Sequence, residues 1–265
     1  MASGQIQTGK DLRYASRTGA FTSHTAGVAP GYIQANLVIL PQDWAEDFAR
    51  FAQANPKPCP ILEQGIPGDP ITRVLAENAD VRTDIPGYRV FRDGVLQEQP
   101  QNIRDLWQDD YVFFLIGCSF TFEWALLDAG IPLRHVSMNR NVAMYRTNRM
   151  CTASGVFKES PLVVSMRPFS PEDADRAVEI SASFPAVHGA PVHRDAPEEI
   201  GITDLSTPDW GDPVPLLPGE EPLFWACGVT PHLAAQVSKP PIMITHAPGH
   251  MFVGDRKNDE YRTTQ

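Results

Sequence analysis

The stretch Phe113 to His135, FFLIGCSFTFEWALLDAGIPLRH, constrains this chain most, because an apolar run of strand length breaks into small residues and resumes with a helical repeat. Tyr111 to Ile116 is aromatic and β-branched and reads as a buried strand ending at Gly117. From Phe120 the apolar positions fall in two adjacent helical stripes, Phe120, Trp124, Leu127 and Phe122, Leu126, Ala129. Gly130 supplies a stop and Pro132 forbids continuation. The turn through Cys118 and Ser119 places unpaired helix N–H groups beside a thiol and a hydroxyl, which suits an anionic ligand.

The pattern returns in Leu223 to His246, LFWACGVTPHLAAQVSKPPIMITH. One register pairs Cys118 with Cys227, Thr121 with Thr230, Ala125 with Ala234 and Pro132 with Pro241, as an internal duplication would; chance likeness between common units is the alternative. If both units belong to one parallel sheet, their turns lie at the carboxyl ends of the strands, and Cys118, Ser119, Cys227 and Gly228 face one crevice. Leu133 to Val136 and Ile242 to Thr245, read as further strands, would bring Arg140 and His246 to His250 to the same edge.

Elsewhere, residues 1 to 12 are polar and expected to fray. A small-residue loop, Ser23 to Asn36, leads into a strand Leu37 to Leu40, and Pro41-Gln42-Asp43 starts a helix with Trp44, Phe48, Phe51 and Ala52 on one face. Asp93-Gly94 marks a hairpin after Tyr88 to Arg92. Leu162 to Met166 reads as a strand, and Ser170-Pro171-Glu172-Asp173 opens a helix. The expected architecture is α/β: a three-layer α/β/α main domain from residues 1–150 and 221–265, with a smaller two-layer α+β domain, 151–220, inserted between them.

Composition excludes several classes. A net charge of −10 and no basic run argue against a nucleic-acid surface. No apolar stretch approaches the roughly 20 residues of a membrane span, and no leader-like segment opens the chain. Four scattered cysteines fit reduced thiols, so a soluble cytoplasmic protein is expected, with self-association left open. The phrases His188-Gly-Ala-Pro-Val-His193 and His246-Ala-Pro-Gly-His250 hold four of the seven histidines. Proline between the members of each pair rules out the helical two-histidine zinc signature, so proton transfer is favoured over a metal, and neither metal nor cofactor is expected. Arg140, Asn141 and Arg146 supply charge and amide groups for holding a carboxylate, or are solvated surface.

The phrases GYIQANLVILP, NPKPCPILE, DIPGYRVFRDG, GCSFTFEWALLDAGIP, RNVAMYRTN, VSMRP, FPAVHGAPVH, FWACGVTP and ITHAPGHMF, running in one order from about Gly31 to Asp255, resemble the D-glutamate cyclase family, whose bacterial members are named hydro-lyases. The resemblance implies a carbon–oxygen lyase that closes glutamate to 5-oxoproline with loss of water, on an α/β fold with a larger and a smaller domain. Our own reading of the residues assigns His188 or His246 as base and His193 or His250 as acid. Cys118, Ser119, Cys227 and Gly228 would bind oxygen, and Arg140, Asn141 and Arg146 would hold a small anionic carboxylate substrate. The alternative is a non-catalytic small-carboxylate binding or sensor protein, which needs the clamp and no titrating group.

Overall fold

The computed structural model describes residues 6–263, so the expectation for residues 1–5 lies outside the described residues. The polar segment that follows does not fray. Thr8 and Asp11 form a reciprocal capping box, and the chain enters helix α1, Gly9–Arg17. Strand β1, Tyr32–Pro41, begins earlier than its apolar core suggests and runs directly into α2, Gln42–Ala54. Then come β2, Ile61–Gln64, the hairpin β3, Tyr88–Arg92, and β4, Val95–Glu98, and the unit β5, Tyr111–Gly117, with α3, Phe120–Asp128. Arg134–Ser137 is a short helix, α4, where a strand was expected. The remaining elements are β6, Ala143–Met150; β7, Pro161–Phe169; α5, Pro171–Ala182; β8, His193–Arg194; β9, Glu221–Ala226; α6, Thr230–Ser238; β10, Met243–His246; and β11, Phe252–Lys257. Among the described residues no helix is long and apolar enough to cross a membrane.

The fold is mixed α/β with two sheets, and every strand pairing described is antiparallel. The larger sheet has the order β2-β5-β1-β10-β3-β4, with β11 also on β1; the smaller runs β6-β7-β9-β8. This corrects the expectation of one parallel sheet: β5 and β9 lie in different sheets. Continuous apolar strands suggested parallel pairing because such strands are buried on both faces. Here an antiparallel strand meets the same condition. Leu37 and Ile39 of β1 pack toward Phe122 and Leu126 of α3, while Val38 and Leu40 pack toward Phe48 and Phe51 of α2 and Ala234 and Ala235 of α6. The smaller sheet takes its strands from Ala143 to Ala226, drawing β6 from before residue 151 and β9 from after residue 220.

The two strand-turn-helix units are nonetheless built alike. Thr121 of α3 accepts from the Gln34 N–H at 3.1 Å and lies 3.3 Å from the Gln34 carbonyl; Thr230 of α6 accepts from the Val163 N–H at 3.0 Å and lies 3.2 Å from the Val163 carbonyl. Each helix is thereby pinned through the same residue to the strand beside its own. Replacing either threonine by valine keeps the shape and leaves a buried N–H without its acceptor. Thr121→Val and Thr230→Val should each lower unfolding free energy by about 1–3 kcal/mol in urea titrations. The double variant should show nearly the sum, since the two share no partner; a change under about 0.5 kcal/mol at either site would count against the pin.

Candidate functional site

The two turns converge. Cys118, Ser119 and Phe120 from one unit and Cys227, Gly228 and Val229 from the other line a single cavity, closed by Asn36 of β1, by Asn141, Val142 and Met144, by His188, and by Gly249 and Met251. About 20 Å³ is available to the centre of a water molecule, enough for a water or the polar end of a small ligand, within about 310 Å³ of non-protein space. The shared crevice therefore exists, but it is formed where two sheets meet and not along the edge of one.

Close approach explains two of the glycines. A Cβ on Gly117 would collide with the Ala186 carbonyl and lie 3.0 Å from the Val187 Cα, so glycine lets the turn before His188 seat against the end of β5. A Cβ on Gly228 would fall inside the Asn36 amide. That amide donates to the Gly117 carbonyl at 2.8 Å, so Asn36 touches both turns.

His188 is 2% exposed and adopts a left-handed backbone, φ 84°, uncommon for a non-glycine residue. Its Nδ1 lies 2.8 Å from the Lys57 carbonyl, which can only accept, so Nδ1 carries the proton and Nε2 presents a lone pair. Nε2 makes no hydrogen bond of good geometry, although the Gly117 carbonyl lies close enough to the ring to oppose the lowering of its pKa. Burial lowers the imidazole to about 4, which keeps it neutral near pH 7. The Asn141 Oδ1 is likewise buried without a partner. Both thiols are shifted the other way: burial raises Cys118 well above its ordinary value and Cys227 to about 11, although the Phe120 and Val229 N–H groups oppose this. Neither is a ready nucleophile.

Behind Ser119 lies a charged cluster. Arg167 of β7 is 1% exposed and donates from Nη2 to the Ser119 Oγ at 2.8 Å, from Nη1 to the Ser165 Oγ at 2.9 Å and from Nε to Glu123 at 2.8 Å. His135 approaches the same Glu123 oxygen at 3.2 Å. Burial alone would raise Glu123, but His135 and Arg167 hold it below the usual carboxylate range. Sequence reasoning missed these residues. The signal was a charge inside an apolar strand, LVVSMRPF, and an acid on the apolar stripe of α3.

The other residues singled out from the sequence lie elsewhere. His246 is fully buried in the larger sheet, where its Nδ1 accepts from the Leu37 N–H at 3.1 Å and its ring sits 4.7 Å from that of His232. His193 Nε2 lies 2.9 Å from the Ala196 carbonyl, and His250 Nδ1 lies 2.9 Å from the Pro248 carbonyl. Arg140 donates to the Pro213 carbonyl; Arg146 pairs with Asp209 at 3.3 Å and covers the Trp210 ring at 5.0 Å. Among the described residues no three His, Cys, Asp or Glu side chains are grouped to hold a metal ion.

The buried histidines set an acid response. His188 is lowered to about 4, and His232, chiefly by burial, to about 3. Both are neutral in folded and unfolded chains above pH about 6.5, so neither contributes there. Below that pH the unfolded chain takes up protons first, and stability falls. Unfolding free energy should decline from pH 6.5 toward 4, His188 alone accounting for on the order of 3 kcal/mol. Urea titrations of His188→Asn should show a dependence shallower by about one proton; equal slopes would show that His188 is not held neutral.

The family described as D-glutamate cyclase matches residues 112–255. A protein of Rubrobacter xylanophilus named "Putative hydro-lyase" is 57% identical over 251 residues, covering 95% of this chain and 96% of its own. Proteins of the same name from Verminephrobacter eiseniae and Azorhizobium caulinodans are 53% and 52% identical, covering 94% and 97% of this chain and 90% and 94% of their own. With more than half of the chain inside the family match and the cavity-lining turns, His188 and Arg167 all within it, the chain belongs to the D-glutamate cyclase family and is a hydro-lyase relative.

Proposed function

We propose that the chain is a carbon–oxygen lyase acting on a small carboxylate, with cyclisation of D-glutamate to 5-oxo-D-proline and water as the reaction to test first. The observation that carries the reading is the unpartnered Nε2 of buried, neutral His188 in a cavity built by two matching turns. A buried acceptor without a partner is costly unless a ligand supplies the missing proton.

In this reaction the α-ammonium first gives one proton to the side-chain carboxylate; the neutral amine then attacks the carbon of the resulting carboxylic acid, a C–N bond forms, and a C–O bond breaks to release water. As the C–N bond forms, the amine proton becomes acidic and passes to His188 Nε2; the same proton then goes to the departing hydroxyl. One weakly basic imidazole thus serves as base and acid in turn, and its low proton affinity makes the second transfer easy. The N–H groups at the Ser119 and Gly228 turns stabilise the negative oxygen of the tetrahedral intermediate. Asn141 orients the substrate. Arg140, Arg146, His193, His246 and His250 bind surrounding loops and strands in this reading and take no part in the chemistry.

Purified protein should convert D-glutamate, or another small hydroxy or amino acid in a panel assayed with and without chelator, and His188→Asn should lower turnover by about 10²–10⁴ with little loss of binding. Saturable binding with no turnover of any member would favour the sensor reading. Turnover by the variant equal to that of the wild type would remove His188 from the mechanism.

A further inference from the structure

Ser119 occupies the N-cap position of α3, yet its hydroxyl caps no helix N–H. Serine at that position ordinarily accepts from the second or third helical N–H. Here the oxygen is turned toward Arg167, whose Nη2 donates to it at 2.8 Å. A guanidinium has donors only, so the serine oxygen must accept, and its own proton must point along another direction. The residue is 5% exposed, lines the cavity, and finds no other side-chain or carbonyl partner among the described residues. On the same cavity, His188 Nε2 is an acceptor without a donor. The site therefore presents one unused O–H and one unused lone pair, complementary to a ligand with an oxygen acceptor beside an X–H group.

We infer that Ser119 donates the hydrogen bond that holds a ligand's carboxylate oxygen, and that Arg167, fixed by Glu123 and Ser165, is the positioning residue that gives the hydroxyl this one direction. The inference takes its ligand class from the function proposed above and adds the group that recognises it. The guanidinium cannot rotate away, because Nε and Nη1 are both committed, and its flanks are covered by the Phe122 and Trp225 rings at 5.7 and 5.3 Å. Glu123 in turn is shared with His135. Donation to the Ser119 oxygen by a cation also polarises the O–H, which strengthens its bond to an anion.

Acetate is the probe, since it carries the carboxylate alone and is small enough for the cavity. Its titration is followed through the backbone amide NMR signals of Ser119 and Gly228. Wild-type protein should show saturable shifts. Ser119→Ala should weaken acetate about tenfold or more, and Ser119→Gly should do the same with a backbone already used at Gly228 of the matching turn. Ser119→Thr keeps a hydroxyl and should restore affinity to within about threefold of the wild type. Arg167→Lys keeps the charge without the fork and should match Ser119→Ala in affinity while retaining a dispersed spectrum. Absence of saturable shifts in the wild type, or equal acetate affinity in wild type and Ser119→Ala, would overturn the inference. Failure of D-glutamate turnover alongside the acetate pattern would reject the reaction and leave the Ser119 assignment standing; turnover alongside equal acetate affinities would do the reverse.

Discussion

Arg167 enters from the smaller sheet and Glu123 from the helix that follows the larger one, and they meet with side chains only 1% and 4% exposed. Bringing two such charges out of water costs several kcal/mol per ion, and the cost is offset only where the remaining donors and lone pairs are filled. On the arginine that condition is met, since three guanidinium nitrogens have acceptors; on Glu123 the contacts from Arg167 and from His135, 3.2 Å away, all fall on the one oxygen Oε1. Removing one member would strand the other, a loss of about 3–5 kcal/mol. The pair therefore fixes how the two sheets sit against each other, and the cavity, which exists only where they meet, depends on it.

Two of the buried imidazoles stand in different settings. His188 and His246 both have an Nε2 without a partner, and both are held neutral by burial. His246 packs against His232 inside the larger sheet and stands in for a backbone acceptor, taking the Leu37 N–H. His188 stands where the backbone is bent into a left-handed conformation and a cavity begins. Strain of this kind costs on the order of 1–3 kcal/mol and persists where the surrounding structure imposes it, commonly at sites of function.

Local signals were legible and directional ones were not. The strand at Tyr111–Gly117, the helix from Phe120, the proline-started helix after Ser170 and the Asp93-Gly94 hairpin all stand where periodicity and capping place them. Cys118 and Cys227 do line one cavity, but not for the expected reason, since their strands belong to two antiparallel sheets and not to one parallel one. Strand direction was not visible, because an antiparallel sheet covered on both faces has the same continuous apolar strands as a parallel one. Leu133 to Val136 lacked length to decide between strand and helix, and α4 is only Arg134–Ser137. The histidine phrases looked equivalent, yet one places His188 at the cavity and the other buries His246 beside β1. Arg167 was hidden by its own burial, since a lone charge in an apolar strand declares its partners only through tertiary contact.

The position of β1 has a consequence for how the chain is made. One long edge of this strand is met by β5, whose Tyr111 pairs with Pro41 and whose Gly117 pairs with Ala35. Its other edge is met by β10 and β11, in the registers of Val38 with Thr245 and Ala35 with Phe252. During vectorial synthesis the strand at the centre of the larger sheet thus keeps one edge unpaired until the last part of the chain has left the ribosome. A nascent chain in that state carries an apolar, hydrogen-bonding edge for most of its translation, the condition under which chaperone capture competes with aggregation.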